Sequence, residues 1–323
     1  LLIISLRQQM LKTLLLLFRS MRPRQWTKNL AVFAPIIFTG KLFDFSLFLV
    51  SLKAFVILCV ATSSIYLIND IIDLPHDRLH PFKKGRPIAA GLLDEKLALW
   101  AAVFGIFLSL EFAYLVSYPL FFMTLIFLLL QLSYSLFFKN LPQFDILIIA
   151  AAYTLRVYMG EIVTGYYFSV WLMLAVVSLS LFLATGKRRA ELTLLTGGVS
   201  GKPIPKTRAT LIRYKEALLD IYTSIFATST FITYGFYTFS ETTSGTSSGS
   251  IARSLGRILP ELVNRKWLMI TLPFVLYGIL RYLQLIYEKG EGESPERILY
   301  RDIPLSLTIL LWGVGIVVII YFF

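Results

Sequence analysis

Apolar residues in this chain run in long blocks rather than alternating with polar ones, and nine of the blocks are long enough to cross a bilayer. A spanning helix needs roughly 20 consecutive, mostly apolar residues. The candidate spans are 30–48, 50–70, 97–117, 119–138, 143–165, 167–186, 217–239, 267–287 and 303–323. Little more than Ser117-Tyr118-Pro119 separates the third from the fourth, and Gly165-Tyr166-Tyr167 separates the fifth from the sixth. Links that short place successive helices side by side and antiparallel. The pattern predicts an all-α, polytopic membrane helical bundle of about nine transmembrane helices, forming one intramembrane domain over 1–323.

Two of the stretches outside the blocks stand out by composition. Residues 1–20 mix Arg7, Lys12 and Arg19 with Leu and Ile, and Pro23 and Trp26 follow in place of a small-residue cleavage site. That reads as an interfacial amphipathic segment over 1–29 rather than a signal peptide. Residues 240–266 open with a Ser/Thr/Gly tract of linker composition, then carry Arg253 and Arg257 one helical turn apart. They are expected to form an external loop insertion with a surface helix.

Composition agrees with the blocks and charge orients them. The chain is 57% hydrophobic and only 15% charged, against about 25% charged in soluble domains. Its 31 Lys and Arg outnumber 19 Asp and Glu. In a soluble protein that excess would suggest nucleic acid. In a membrane protein basic loops stay cytoplasmic, and most of these residues fall on one side if the N-terminus is cytoplasmic. The expectation is a multi-pass protein of the cell (inner or plasma) membrane with Phe323 outside and no nucleic-acid partner. Oligomeric state is not legible. Cys59 is the only cysteine, so no intrachain disulfide exists.

The chemistry concentrates after the second span, in Asn69-Asp70-Ile71-Ile72-Asp73-Leu74-Pro75-His76-Asp77-Arg78-Leu79-His80-Pro81. Asn69, Asp73 and Asp77 are four apart and would share one helical face, although Pro75 interrupts the run. Three oxygen donors in a row suit a hard cation, and magnesium prefers one or two carboxylates plus substrate phosphate oxygens. Acids at a membrane boundary usually face a cavity; ordinary surface acids at a solvated helix end are the plainer alternative. A zinc reading of His76 and His80 lacks further His or Cys donors at the site. Next come Lys83, Lys84 and Arg86 in a Pro/Gly-rich loop, which could neutralise phosphate oxygens or simply anchor the loop. Arg22, Arg24 and Lys28 precede the first span, and Lys187, Arg188 and Arg189 close the sixth. Arg156 lies inside the fifth, where it must pair (Glu161 or Asp145) or line a cavity.

At these residues the sequence resembles the UbiA-type intramembrane transferase superfamily, whose Asn-Asp-x-x-Asp-x-x-x-Asp motif is matched by Asn69, Asp70, Asp73 and Asp77. That superfamily carries a second Asp-rich motif after the sixth span, used with the first to bind an isoprenyl diphosphate. Here Gly186-Lys187-Arg188-Arg189-Ala190-Glu191 stands in its place. Together with Arg-Pro-Arg-Gln-Trp-Thr-Lys-Asn at 22–29, Asp-Arg-x-His-Pro-x-Lys at 77–83, Arg-Pro-Ile-Ala-Ala-Gly at 86–91 and the tail at 288–302, the chain is similar to the decaprenyl-phosphate phosphoribosyltransferase branch.

The resemblance implies transfer of 5-phosphoribosyl from 5-phosphoribosyl 1-diphosphate to a polyprenyl phosphate, with Mg2+ as cofactor and the bilayer around the lipid tail. Asn69, Asp73 and Asp77 would be the catalytic metal ligands. Arg22, Lys28, Lys83, Arg86, Arg156, Lys187 and Arg188 would hold phosphates. A donor with a diphosphate and a separate 5-phosphate carries more negative charge than a prenyl diphosphate, which suits basic residues in place of a second acidic motif. The implied transition state is oxocarbenium-like at ribose C1, with inversion. Two other readings stand beside it: a prenyltransferase acting on a quinone-precursor-like acceptor, and a non-enzymatic transporter or lipid-binding protein.

Overall fold

The fold is taken from a computed structural model that describes residues 2–79, 83–167, 169–195, 214–240, 266–288 and 301–322. The body of the expected external loop, the tail at 289–300 and residues His80, Pro81 and Phe82 lie outside the described residues. Every regular element among those described is helical.

The first predicted span is not a single helix. An N-terminal helix α1 (Leu2–Ser20) leads through Arg22 (φ 54°) into a 3-10 stretch, Pro23–Phe33, and a short α2 (Ala34–Phe38). The chain then turns at Gly40, whose φ of 73° a side chain would resist. It restarts at Asp44, where the carboxylate accepts hydrogen bonds from the Ser46 and Leu47 N–H groups at 3.0 and 3.3 Å. Such a cap fixes the start of a helix. The block 30–48 is therefore mostly apolar yet divided, because Pro35, Gly40 and Asp44 each break helical bonding within it.

The next element, α3 (Phe45–Ile72), has 28 residues, about 42 Å at 1.5 Å per residue. That exceeds a hydrocarbon core of roughly 30 Å. Asp73 closes it with near-helical angles, and α4 (Leu74–Leu79) follows at once. Pro75 sits in the first turn of α4, where its missing N–H costs nothing, and the Asp77 N–H still reaches the Asp73 carbonyl at 2.8 Å. The predicted interruption at Pro75 is thus a change of helix and leaves the turn intact.

Beyond it lie α5 (Glu95–Val116), α6 (Tyr118–Leu136), α7 (Phe144–Thr164), α8 (Val170–Leu195), α9 (Glu216–Ser240), α10 (Leu272–Tyr287) and α11 (Ile303–Phe322). One extended residue, Ser117, ends α5 and caps α6. Among the described residues seven helices are long and apolar enough to cross a membrane. Nine is not reproduced: 30–48 is divided, and α9, though 25 residues long, is too rich in Thr and Ser to qualify.

Large apolar side chains such as Trp100, Phe104, Phe107 and Leu115 point outward, between 64% and 72% exposed. Such a belt would aggregate in water and fits lipid contact. Small residues face inward instead. On α5 they are Ala98, Ala102, Gly105, Ser109 and Ala113, packed toward α3, the small-residue contact by which membrane helices approach. A Cβ on Gly160 of α7 would fall onto the Val32 carbonyl oxygen and within 3.0 Å of the Pro35 ring. The divided first segment is thereby seated directly on α7.

Charge gathers at one end of the bundle. The C-termini of α3, α6, α8 and α10 meet the N-termini of α5, α7, α9 and α11 there, tied by Arg78–Glu95, Arg188–Asp145, Arg189–Asp220 and Arg281–Asp302. Successive helices accordingly run antiparallel, as the short links require.

Gly160→Val should lower the unfolding free energy by about 1–3 kcal/mol through overpacking, read as a drop in Tm in detergent. Gly313→Val, where a Cβ meets nothing within 4 Å, should leave Tm unchanged. Equal Tm values for the two variants would contradict the seating of the first segment.

Candidate active site

A cavity of about 1690 Å³ opens at the charged end and is walled by matching helical stripes. From α3 come Tyr66, Asn69, Asp70 and Asp73; from α7 come Ile149, Ala152, Tyr153 and Arg156. Both sets follow the i, i+3, i+4, i+7 spacing of one helix face. Leu183, Ala184, Lys187 and Glu191 of α8 close the far wall, with Gln131, Tyr134 and Lys139 from α6 and the turn after it. Arg22, Arg24, Gln25 and Lys28 bring the N-terminal segment to the rim, and Lys83, Gly85, Arg86 and Pro87 bring the loop after α4. Arg301 lines it as well.

The acids of the α3 stripe are already held by cations. Arg22 and Arg86 both donate to Asp70 Oδ1, the latter at 3.1 Å, and Arg86 also donates to Asp77. Lys139 donates to Asp73 Oδ1. Arg22 also lies over the Tyr66 ring, 4.9 Å from its centroid. Asp70 is 2% exposed and Asp73 side-chain exposure is 28%, so Asp73 is the acid with most access to the cavity.

Most predicted site residues line this cavity: Asn69, Asp73, Arg22, Lys28, Lys83, Arg86, Arg156 and Lys187. Two do not. Asp77, on α4, is 3% exposed and is held by Arg86, the same arginine that donates to Asp70. Asn69 belongs to α3, Asp73 closes it and Asp77 belongs to α4, so the three are divided by a change of helix.

Arg188 is the second. It is 1% exposed, donates to Glu191 and, at 3.4 Å, to Tyr134 Oη, and its Nε stands 3.1 Å from Asp145 Oδ2 as an ion pair. Tyr214 donates to Asp145 at 2.7 Å, and burial pushes its phenol pKa up. Arg188 therefore locks α7 to α8. Arg189 turns outward again, donating to Asp220 at 2.7 Å and pairing with Glu216 at 3.3 Å. Consecutive helical residues are 100° apart, so of this basic triplet Lys187 alone lines the cavity.

Reading the sequence missed several wall residues. Asp70 was present in the motif without a role, and Lys139 was a lone basic residue in a short turn on the charged side. Tyr66, Gln131, Tyr134 and Tyr153 carried no signal, since uncharged side chains in apolar blocks look like packing.

The arrangement suits a polyanion: a few hard oxygen donors at one wall and lysines and arginines around the rest. The profile of the UbiA prenyltransferase family matches residues 30–190. The chain is 33% identical over 313 residues to the decaprenyl-phosphate phosphoribosyltransferase of Mycolicibacterium smegmatis, covering 95% of this chain and 92% of that protein. With the Mycobacterium tuberculosis protein of the same name it shares 32% over 300 residues, 91% and 90% of the two chains. A UbiA homologue from Archaeoglobus fulgidus solved with GPP and Mg2+ superposes with a TM-score of 0.65 at 17% identity, over 94% of this chain and 99% of that one. Identity that low carries the fold and nothing further.

Removing the Arg188 charge strands two buried or half-buried acids, so Arg188→Met should cost about 3–5 kcal/mol of stability. Lys187→Met leaves Asp145 and Glu191 with their arginine and should cost less than Arg188→Met. Thermal unfolding of the two variants in one detergent decides it, and a less stable Lys187 variant would reverse their roles.

Proposed function

We propose, from the premise that this chain belongs to the UbiA prenyltransferase family, that it transfers 5-phosphoribosyl from 5-phosphoribosyl 1-diphosphate to a polyprenyl phosphate. The observation that carries this reading is identity of 33% running through 92% of a relative named for that transfer. The cavity supports it independently, because the stripe of Asn69, Asp70 and Asp73 is faced by Arg22, Lys28, Lys83, Arg86 and Lys187.

The donor set fits magnesium chemically. Asn69 and Asp73 offer two hard oxygens to the cavity, and such an ion completes its coordination with substrate phosphate oxygens and water. A magnesium ion held there would neutralise charge on the departing diphosphate. Asp77 acts one step back, fixing Arg86 beside the donor. Lys83, Arg86 and Lys187 hold the remaining phosphate charge.

In the reaction an oxygen of the acceptor phosphate forms a bond to ribose C1 as the C1–O bond to diphosphate breaks, and diphosphate leaves with the electron pair. A single displacement of this kind inverts C1. The acceptor needs no general base, since a phosphate monoester with a second pKa of about 6 is largely dianionic near neutral pH. Orientation and preorganised positive charge are what the protein supplies. The basic end of the bundle faces the cytoplasm by the charge bias of membrane loops, with α1 along that surface and the chain entering the bundle by Asn29.

Protein in lipid nanodiscs, given labelled 5-phosphoribosyl 1-diphosphate, a polyprenyl phosphate and Mg2+, should yield lipid-extractable label. Asp73→Asn should reduce the rate by about 100-fold or more with Tm unchanged. Transfer from a prenyl diphosphate in place of the phosphoribosyl donor would overturn the reading.

Topology is open to a separate check, because the native Cys59 is buried. In intact cells an impermeant thiol reagent should label Tyr167→Cys and spare Asn140→Cys. Labelling of Asn140→Cys instead would invert the orientation.

A further inference from the structure

Arg156 differs from the other buried cation of the site. It is 3% exposed and sits 12 positions into α7 from Phe144, about 18 Å from the charged end of that helix. Its Nε donates to Asn29 Oδ1 at 2.9 Å and its Nη1 to the Ala152 carbonyl. The guanidinium lies 4.9 Å from the Phe127 ring centroid and 5.3 Å from that of Tyr153. Asn29, itself 1% exposed, is locked by donating to Thr62 Oγ1 at 3.2 Å and Cys59 Sγ at 3.4 Å.

What Arg156 lacks is an acid. Arg188 has Asp145 and Glu191, and Arg22 and Arg86 share Asp70. No ion pair to Arg156 forms among the described residues, and its titratable neighbours are Tyr66, Tyr153 and Cys59. Its Nη2 makes no hydrogen bond with a described residue, and Arg156 lines the cavity. A guanidinium keeps its charge, and a buried charge without a counter-ion is costly. The missing partner must be an anion that enters the cavity.

We infer that Arg156, held by Asn29, is the binding site for the phosphate monoester of the lipid acceptor. This rests on the transfer proposed above and on where the reacting groups must stand. The diphosphate belongs at the α3 end, beside Asn69 and Asp73. In a single displacement the nucleophile approaches C1 from the side opposite the leaving group, hence from deeper along α7, where Arg156 stands. Ala152 and Tyr153 line the cavity beside it and Phe127 packs behind the guanidinium, surroundings that suit a lipid phosphate arriving from the bilayer better than a water-borne sugar phosphate. The donor's 5-phosphate shares the same chemistry, so the test separates the two sources.

Binding of labelled farnesyl phosphate to protein in nanodiscs, without donor, reads the site directly, with farnesol as the uncharged control. Arg156→Gln should weaken farnesyl phosphate binding by about 10- to 100-fold, the loss of a charged hydrogen-bond pair. Donor binding in Mg2+ should change by no more than about two-fold. Asn29→Asp should produce a similar acceptor loss with the arginine intact, because it supplies the counter-ion internally, and Arg156→Lys should recover part of the affinity. Equal loss of donor affinity would assign Arg156 to the 5-phosphate. Unchanged acceptor affinity in Asn29→Asp and in folded Arg156→Gln would make Arg156 purely structural. Because binding is measured without turnover, a wild-type protein that binds farnesyl phosphate through Arg156 yet transfers no phosphoribosyl would overturn the reaction alone.

Discussion

A charge withdrawn from water at the edge of a bilayer has to meet its opposite, and the interior of this protein is arranged around that requirement. Asp70 is 2% exposed and receives Arg22 from the N-terminal segment and Arg86 from the loop after α4. That one carboxylate joins three separate segments of the chain. The Asp145–Arg188–Glu191 group does the same for α7 and α8. Pairs of this kind add little net stability over an apolar contact, yet breaking one is expensive. They specify which helix ends meet.

The cavity follows from the same pairing. Three basic groups, Arg22, Arg86 and Lys139, converge on the acids of the α3 stripe, and with Lys28, Lys83 and Lys187 the cavity wall carries more cations than acids, a balance that a polyanionic ligand with its metal would complete. Small residues make the geometry attainable. Gly160 lets the Val32 backbone lie against α7, and that contact carries Lys28 and Asn29 to the cavity and its buried arginine.

Some of the site could be read from residue order because the acids and their basic loop lie within about one connection of each other. Asn69, Asp73, Lys83 and Arg86 announced themselves by charge in an otherwise apolar chain. Asp77 and Arg188 stand outside the cavity wall for a common reason: charge in a sequence does not say which way a side chain faces. A switch from α3 to α4 turned Asp77 toward Arg86, and one 100° step along α8 separated Arg188 from Lys187. Lys139 and the tyrosines of the wall were unreadable, since a single residue contributes no periodicity.

Sequence by itself determined that this is a helical membrane bundle with its chemistry at one basic end. Block length against bilayer thickness and the cost of exposed charge are local properties that residue order carries intact. Division of the block at 30–48, the counter-ion of each charge and the solitary position of Arg156 were decided only by tertiary structure. They depend on which helices approach one another, and that is set by small-residue contacts and ion pairs between positions as far apart as Asn29 and Arg156, which no local pattern encodes.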